Sequence, residues 1–336
     1  MMRRMIKAAA AVTAAAVMLS GCMADAPVDI KKSDEEKISV VCTAFPEYDW
    51  VKQITGGRSY EFDITYLLAN GADLHNYQPS TKDMAEISSC DLFICTGGES
   101  EKWVDDALAA PVNSKMKVIR LLDVAGDRKE AEEEKEGMEP EEEEEEGVVY
   151  DEHVWLSLKN ADLFCAEITD CLCEIDEAHS DEYRDNYEKY SVELKKLDMD
   201  FQDMFDAVED PAKKTMVFAD RFPFLYFVKD YGLDYYAAFK GCSAESEASF
   251  ETVAFLAEKL DELGLKSVYV IEGSDGKLAK AVLENSSDKD RDIVMLNSLQ
   301  SVTKDELKSS SMTYLSLMQS NYRKIKDALE KEAVEE

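Results

Sequence analysis

Only three histidines occur in 336 residues, and two of them sit beside carboxylates. His75 lies in NGADLHNYQPS (70–80) and His153 in YDEHVWLS (150–157). Each comes soon after a hydrophobic run of strand character. Imidazole nitrogen next to carboxylate oxygen suits zinc, manganese or ferrous iron, and suits calcium less well. A single histidine is more often a structural residue than a ligand; two of three at strand ends, both beside acids, point to a metal. His179, next to a long helical segment, reads as a surface residue.

The elements that must position these groups are short β-branched or aromatic runs separated by amphipathic segments. ISVVCTAF, EFDITYLL, CDLFICTG and MKVIRLLDV fall in the first half, and KTMVFAD, LDYYAAF, KSVYVIEG and DIVMLNS in the second. That alternation predicts an α/β protein of two similar lobes, each a mostly parallel four-stranded sheet with helices. Between them, SDEYRDNYEKYSVELKKLDMDFQDMFDAVED places Tyr183, Tyr187, Tyr190, Leu194, Leu197, Phe201 and Phe205 at spacings of three and four. This predicts a rigid joining helix, a rod of roughly 40 Å, and therefore small lobe motions. The organisation expected is a signal peptide (1–21), a tether (22–36), an N-terminal lobe (37–178) with an acidic loop (129–147), the linker helix (179–209) and a C-terminal lobe (210–336).

In open α/β sheets ligands sit beyond the carboxyl ends of the strands. The polar residues there are Asp73 and His75, then Asp151, Glu152 and His153, and in the second half Asp220 with Arg221, Glu245 with Glu247, Glu272, and Asn297. Imidazoles from one lobe and carboxylates from the other could face each other across a cleft.

The start, MMRRMIKAAAAVTAAAVMLSGC, has a positive head, an apolar stretch and small residues before Cys22, the pattern of a signal peptide. LSGC is also a lipobox, so the expectation is lipidation of Cys22 and anchoring to the outer side of the cell membrane by lipid alone. Removing Arg3, Arg4 and Lys7 with the signal takes the formal charge from −34 to −37. A chain so acidic repels nucleic acid and attracts cations. Besides Cys22 there are seven cysteines, an odd number, most expected to pack as small apolar residues. A Cys42–Cys90 disulfide is left open. The stretch 130–146 is dominated by glutamate with Lys135 as its one cation, and predicts an exposed, frayed loop that either only solvates or collects cations weakly.

GADLHNYQPS resembles the G-x-D-P-H-x-Y-E-P-S motif of the zinc/manganese ABC-transporter solute-binding proteins, and DEHVWLSLKNA their D-P-H-V-W-L-x-x-x-N-A motif. FADRFPFLYFVKDYGL and TYLSLMQSNYRKIKDAL are similar to two further family segments, so the likeness runs from Ile38 to about Leu329. It implies two lobes joined by a long helix, a zinc or manganese ion carried in the cleft, and delivery to an ABC permease and its ATPase. It also implies metal ligands at His75 and His153. The family's third ligand position falls on Arg221, which has no lone pair to offer, and its fourth on Asn297, a weak ligand. Leu74 and Glu152 replace the prolines of the two histidine motifs.

Three readings of Arg221 stand open. It pairs with an acid such as Glu245 or Asp220 while a carboxylate from CSAESEAS or Glu272 completes the site; or it neutralises an anion arriving with the metal; or the site is degraded. Glu245 is the replacement ligand chosen, because its loop follows a strand and carries two acids. The expected function is capture of zinc, or next manganese, by a monomeric extracytoplasmic binding protein rather than an enzyme. The alternatives are a surface lipoprotein whose acidic loop binds cations or a partner, and a metal-dependent hydrolase using Asp151 or Glu152 as base.

Overall fold

The computed structural model describes residues 37–140, 147–243, 247–309 and 311–333. The signal segment, Cys22 and Glu245 lie outside them. All eight apolar runs contain strands: β1 Ile38–Cys42, β2 Phe62–Tyr66, β3 Leu92–Cys95, β4 Lys117–Arg120, β5 Thr215–Phe222, β6 Asp234–Lys240, β7 Ser267–Ile271 and β8 Asp292–Leu296. They form two sheets of the same plan, β2-β1-β3-β4 and β6-β5-β7-β8, with every pairing parallel. Strands covered on both faces read as continuous apolar stretches, and β3 and β7 are buried at every residue.

Helices cover the sheets and carry the chain between strands. The first half holds α1 Phe45–Thr55, α2 Thr81–Ser89, α3 Trp103–Leu108, α4 Leu121–Ala125 and α5 Leu158–Ile175. The second half holds α7 Leu225–Tyr231, α8 Phe250–Glu262 and α9 Lys277–Asn285. Between the halves runs the long helix α6, Ser180–Asp206, whose buried stripe contains Tyr183, Tyr190, Leu194, Leu197, Phe201 and Phe205. Tyr187 is half-buried beside it. The closing helix α10, Tyr314–Ala333, packs back against α1, α6 and β8.

One hydrophobic core crosses from lobe to lobe. Trp50 of α1 meets Phe164 of α5 and Tyr314 of α10, with ring centroids 5.8 and 5.2 Å apart. Phe201 of α6 meets Phe227 and Tyr231 of α7 at 5.0 and 5.5 Å. Hydrogen bonds tie the same seam: Trp155 Nε1 donates to the Ser298 carbonyl at 2.9 Å and the Tyr314 hydroxyl to the Trp155 carbonyl at 2.6 Å. Close-packed interiors deform little, so a seam this dense resists wide opening between the lobes.

The acidic stretch departs from expectation over its described part, up to residue 140. Ala131 bridges Tyr150 in antiparallel fashion, and the intervening chain reaches across to the C-terminal lobe. Glu139 donates its N–H to the Ala238 carbonyl on the edge strand β6 (2.9 Å), Glu133 pairs with Lys229 (2.5 Å), and Lys135 pairs with Asp234. Glu134 approaches Lys240 at 3.5 Å. Instead of fraying in solvent, 131–139 straps the sheet edge. The reason is charge: the cations that hold these glutamates come from the other lobe. Residues 141–146 lie outside the described residues.

Candidate metal centre

His75 sits in a single 3-10 turn, Leu74–Asn76, that follows β2. Asp73 caps this turn, its Oδ1 accepting the His75 backbone N–H at 3.1 Å. His153 precedes a second such turn, Val154–Leu156, and its backbone N–H is held by Asp151 Oδ1 at 2.8 Å. Both rings are removed from solvent, with side chains 5% and 0% exposed. Their Nε2 atoms face each other 3.4 Å apart. Two nitrogens bound tetrahedrally at the zinc–nitrogen distance stand about 3.3 Å apart, so this separation is the one a shared ion needs.

The remote nitrogens are fixed from behind. His153 Nδ1 lies 3.1 Å from Asp151 Oδ1. His75 Nδ1 lies 2.7 Å from the Ser100 hydroxyl and 3.4 Å from Glu152 Oε2. Glu152 Oε1 in turn accepts the Ser100 N–H at 2.7 Å. A side chain on Gly98 would overlap Glu152, so that glycine makes room for the carboxylate. With Nδ1–H directed at these acceptors, both Nε2 lone pairs point at one spot; carboxylate-backed imidazoles of this kind are better metal ligands. Burial alone would lower the His75 pKa, but hydrogen bonding to Glu152 and the charges of Glu152 and Asp73 outweigh it and raise it. The local field therefore favours positive charge.

A third donor was missed by sequence reasoning. Cys242 Sγ lies with the two imidazole nitrogens in a set whose atoms are all within 4.8 Å of one another. No carboxylate oxygen among the described residues joins that set. The sulfur arrives on the turn after β6, where Cys242 donates its N–H to Glu132 Oε1 of the strap at 3.0 Å. Gly241 permits the approach: a Cβ there would sit 2.8 Å from the Phe222 carbonyl, 2.9 Å from Asp151 Oδ2 and 3.2 Å from His153 Cε1. Burial, followed by the charges of Asp151, Glu132 and Glu152, holds the thiol well above its usual pKa. All seven cysteines among the described residues are free thiols, Cys42 and Cys90 included. His179, read from the sequence as a surface residue, is partly exposed and bonds Asp176 Oδ2 at 2.7 Å.

Arg221 pairs with an acid, as the first of the three readings holds, but that acid is Asp73 of the other lobe. Its Nη2 pairs with Asp73 Oδ2 at 2.7 Å, an ion pair between the lobes. Asp220 is not its partner; that carboxylate accepts the backbone N–H groups of Arg221 and Ile271. Burial works against the Asp73 charge, but Arg221 beside it holds the carboxyl below the usual range. Arg221 thus neutralises the acid that lies 4.0 Å from His75 Nε2. Glu272 is not placed to complete the site either, since both oxygens are taken by Ser298 N–H and hydroxyl at 2.6 Å each. Asn297 uses its side-chain oxygen on the N–H of Leu299 (2.8 Å), which adopts φ 64°. It serves there as a turn-former.

The model of the family "zinc-uptake complex component A, periplasmic" matches residues 40–328. The chain belongs to this family. The family is one of extracytoplasmic solute-binding proteins that serve metal importers, which sets the chain among binding proteins. Among curated relatives it is 28% identical over 295 residues to the zinc-binding protein AdcA of Streptococcus pyogenes serotype M3 (strain ATCC BAA-595 / MGAS315), covering 85% of this chain and 55% of that protein. The chain thus spans about half the length of the streptococcal relatives it matches. The high-affinity zinc uptake system protein ZnuA of Bacillus subtilis (strain 168) is 27% identical over 330 residues, 95% of this chain and 96% of that protein. Of solved structures, the Zn(II)-bound ZnuA-like domain of Streptococcus pneumoniae AdcA superposes with a TM-score of 0.68 at 25% identity, covering 87% of this chain and 98% of that one.

Proposed function

We propose that this protein captures one zinc ion outside the cytoplasm, between His75 and His153, and passes it to an ABC permease driven by its ATPase. The observation that supports this most is the pair of buried Nε2 atoms 3.4 Å apart, each imidazole backed by an acceptor at Nδ1. Membership of a zinc-uptake family supports zinc as the cargo, with manganese next. Lipidation of Cys22 as the sole membrane anchor and a monomeric state belong to the same reading. Glu245, outside the described residues, is the candidate carboxylate for a further position on the ion; unchanged zinc affinity in Glu245→Gln would remove it.

Binding rather than hydrolysis is supported by how the neighbouring acids are engaged. A hydrolytic metal site needs a positioned general base. Asp151 is committed to His153, and Glu152 to Ser100 and His75. Calorimetric titration of metal-stripped protein with zinc tests the proposal. One tight equivalent is expected, lost in the His75→Ala/His153→Ala double variant; an equally tight equivalent in that variant would overturn the reading.

A further inference from the structure

The family position expected to give a third ligand carries Arg221, yet the C-terminal lobe still brings one donor to the two imidazoles. We propose that Cys242 is the third metal ligand and that its sulfur sets this site to take zinc in preference to manganese. This rests on the capture function proposed above and adds to it the residue that chooses the metal.

Cysteines that pack as small apolar residues lie inside the lobes, as Cys42, Cys95 and Cys165 do. Cys242 is instead half-buried on the turn after β6, its sulfur within 4.8 Å of a ring nitrogen of each imidazole. Three independent features hold it there: Gly241 against Asp151 and His153, the Glu132 carboxylate on the Cys242 N–H, and the Arg221 guanidinium 3.5 Å from the Ser243 carbonyl. None of these is needed to bury a small apolar side chain.

The chemistry follows from the donor set. Two imidazole nitrogens and one thiolate sulfur form a triad suited to tetrahedral zinc, which binds sulfur at about 2.3 Å and nitrogen at about 2.0–2.1 Å. Manganese, lower in the divalent affinity order, draws its selectivity from carboxylate, carbonyl and water oxygens. In this cleft Asp73 pairs its Oδ2 with Arg221 and its Oδ1 with the His75 N–H, and both Glu272 oxygens are bound to Ser298. Among the described residues these carboxylates are thus engaged elsewhere, and a sulfur is offered to the two imidazoles instead. Three protein donors leave a fourth position on a tetrahedral ion for Glu245 or for water.

The test uses the full chain, metal-stripped and kept reduced, with Cys242→Ser and Cys242→Ala. Zinc and manganese affinities are measured by competition, and cobalt(II) is added as a spectroscopic probe of sulfur ligation. The wild type is expected to show a near-ultraviolet thiolate-to-cobalt charge-transfer band that both variants lack. Loss of an outer partner costs about 10–100-fold in metal affinity, so loss of a ligand should weaken zinc by at least about 100-fold. Manganese affinity should change much less, so the zinc-to-manganese ratio collapses. A wild type without the band, or variants that keep their zinc affinity, overturns the role of Cys242; if the His75→Ala/His153→Ala variant has still lost its equivalent, zinc capture itself stands. If that double variant binds as the wild type does, both fall together.

Discussion

The two lobes contribute to the cleft in unlike ways. The N-terminal side offers His75 and His153, each on a short turn, each buried and each braced by carboxylate. The C-terminal side offers one sulfur on a turn and, beside it, an arginine that carries no donor for a metal. The lesson is that a cleft can be lopsided: one wall carries two buried, braced imidazoles, the other a single sulfur and an ion pair. Arg221 and Asp73 join the walls by charge, at the place where the resemblance implied a third ligand.

The largest effect should come from the wall with the imidazoles. His153 has no exposed surface, and its removal takes away a ligand and the ring N–H that the buried Asp151 carboxylate faces. Leaving a buried hydrogen-bonding group without its partner costs about 1–3 kcal/mol in its own right. His153→Ala is therefore expected to abolish stoichiometric zinc binding and to lower the melting temperature of the zinc-free protein. Calorimetry and thermal melts check both; an affinity loss smaller than that of Cys242→Ser would reverse the contrast drawn between the walls.

A smaller effect is expected from the braces. Glu152→Gln keeps the shape and an acceptor for Ser100 but removes the charge facing His75 Nδ1. Zinc affinity should fall by about 10–100-fold, in the range of lost outer partners of metal-ligating histidines. The loss should accompany unchanged stoichiometry. An unaltered affinity would mean that Ser100 alone orients the ring.

Arg221→Ala tests the other wall and should move affinity the opposite way. It deletes a fixed cation near the site and releases Asp73, whose oxygen lies 4.0 Å from His75 Nε2. Zinc affinity should rise, by less than about tenfold in ordinary salt, because the pair is partly exposed and screened. Manganese should gain more than zinc, since an oxygen donor becomes available. Weaker binding of both ions would show instead that the interlobe ion pair is what holds the cleft in shape.

How much of this was legible follows from what each feature depends on. The eight strands and α6 were readable because a parallel strand buried on both faces and a helix with one buried stripe leave local patterns in the chain. The imidazoles were readable because they are rare and lie at strand ends. Cys242 was not, because nothing local separates a ligand thiol from a packed one; the nearest hint was Gly241 beside it. The Arg221–Asp73 pair, the strap from Glu132 to Glu139 and the bracing by Glu152 each join residues distant in sequence. Glu152 in place of a family proline looked like a minor departure, and the glutamate run looked like a solvated loop. In both cases the deciding partner lies elsewhere in the chain, where composition cannot point.

The smallest effect on metal should come from a carboxylate far from the cleft that governs stability instead. Asp49 of α1 accepts the Tyr314 N–H at 2.8 Å, tying the start of α10 to the N-terminal lobe, and its other oxygen accepts from Gln53 at 3.1 Å. Burial pushes its pKa up to about 6, against the opposing pull of those two bonds and the Lys52 charge. Cys165 and Tyr190 also face it, and both remain uncharged because burial raises their own pKa values. The folded state thus holds the Asp49 proton more tightly than the unfolded chain, where the group titrates near 3.8. Its contribution to stability is complete below about pH 4 and is lost as pH climbs to about 6, a change of about 3 kcal/mol. Asp49→Asn carries no such proton, so between about pH 4 and pH 7 it should gain stability relative to the wild type by that order while its zinc affinity at neutral pH stays the same. Denaturant unfolding of the zinc-free proteins at a series of pH values measures the difference; parallel curves for the two proteins would mean that Asp49 is charged in the fold and that the seam between the lobes accommodates a buried anion.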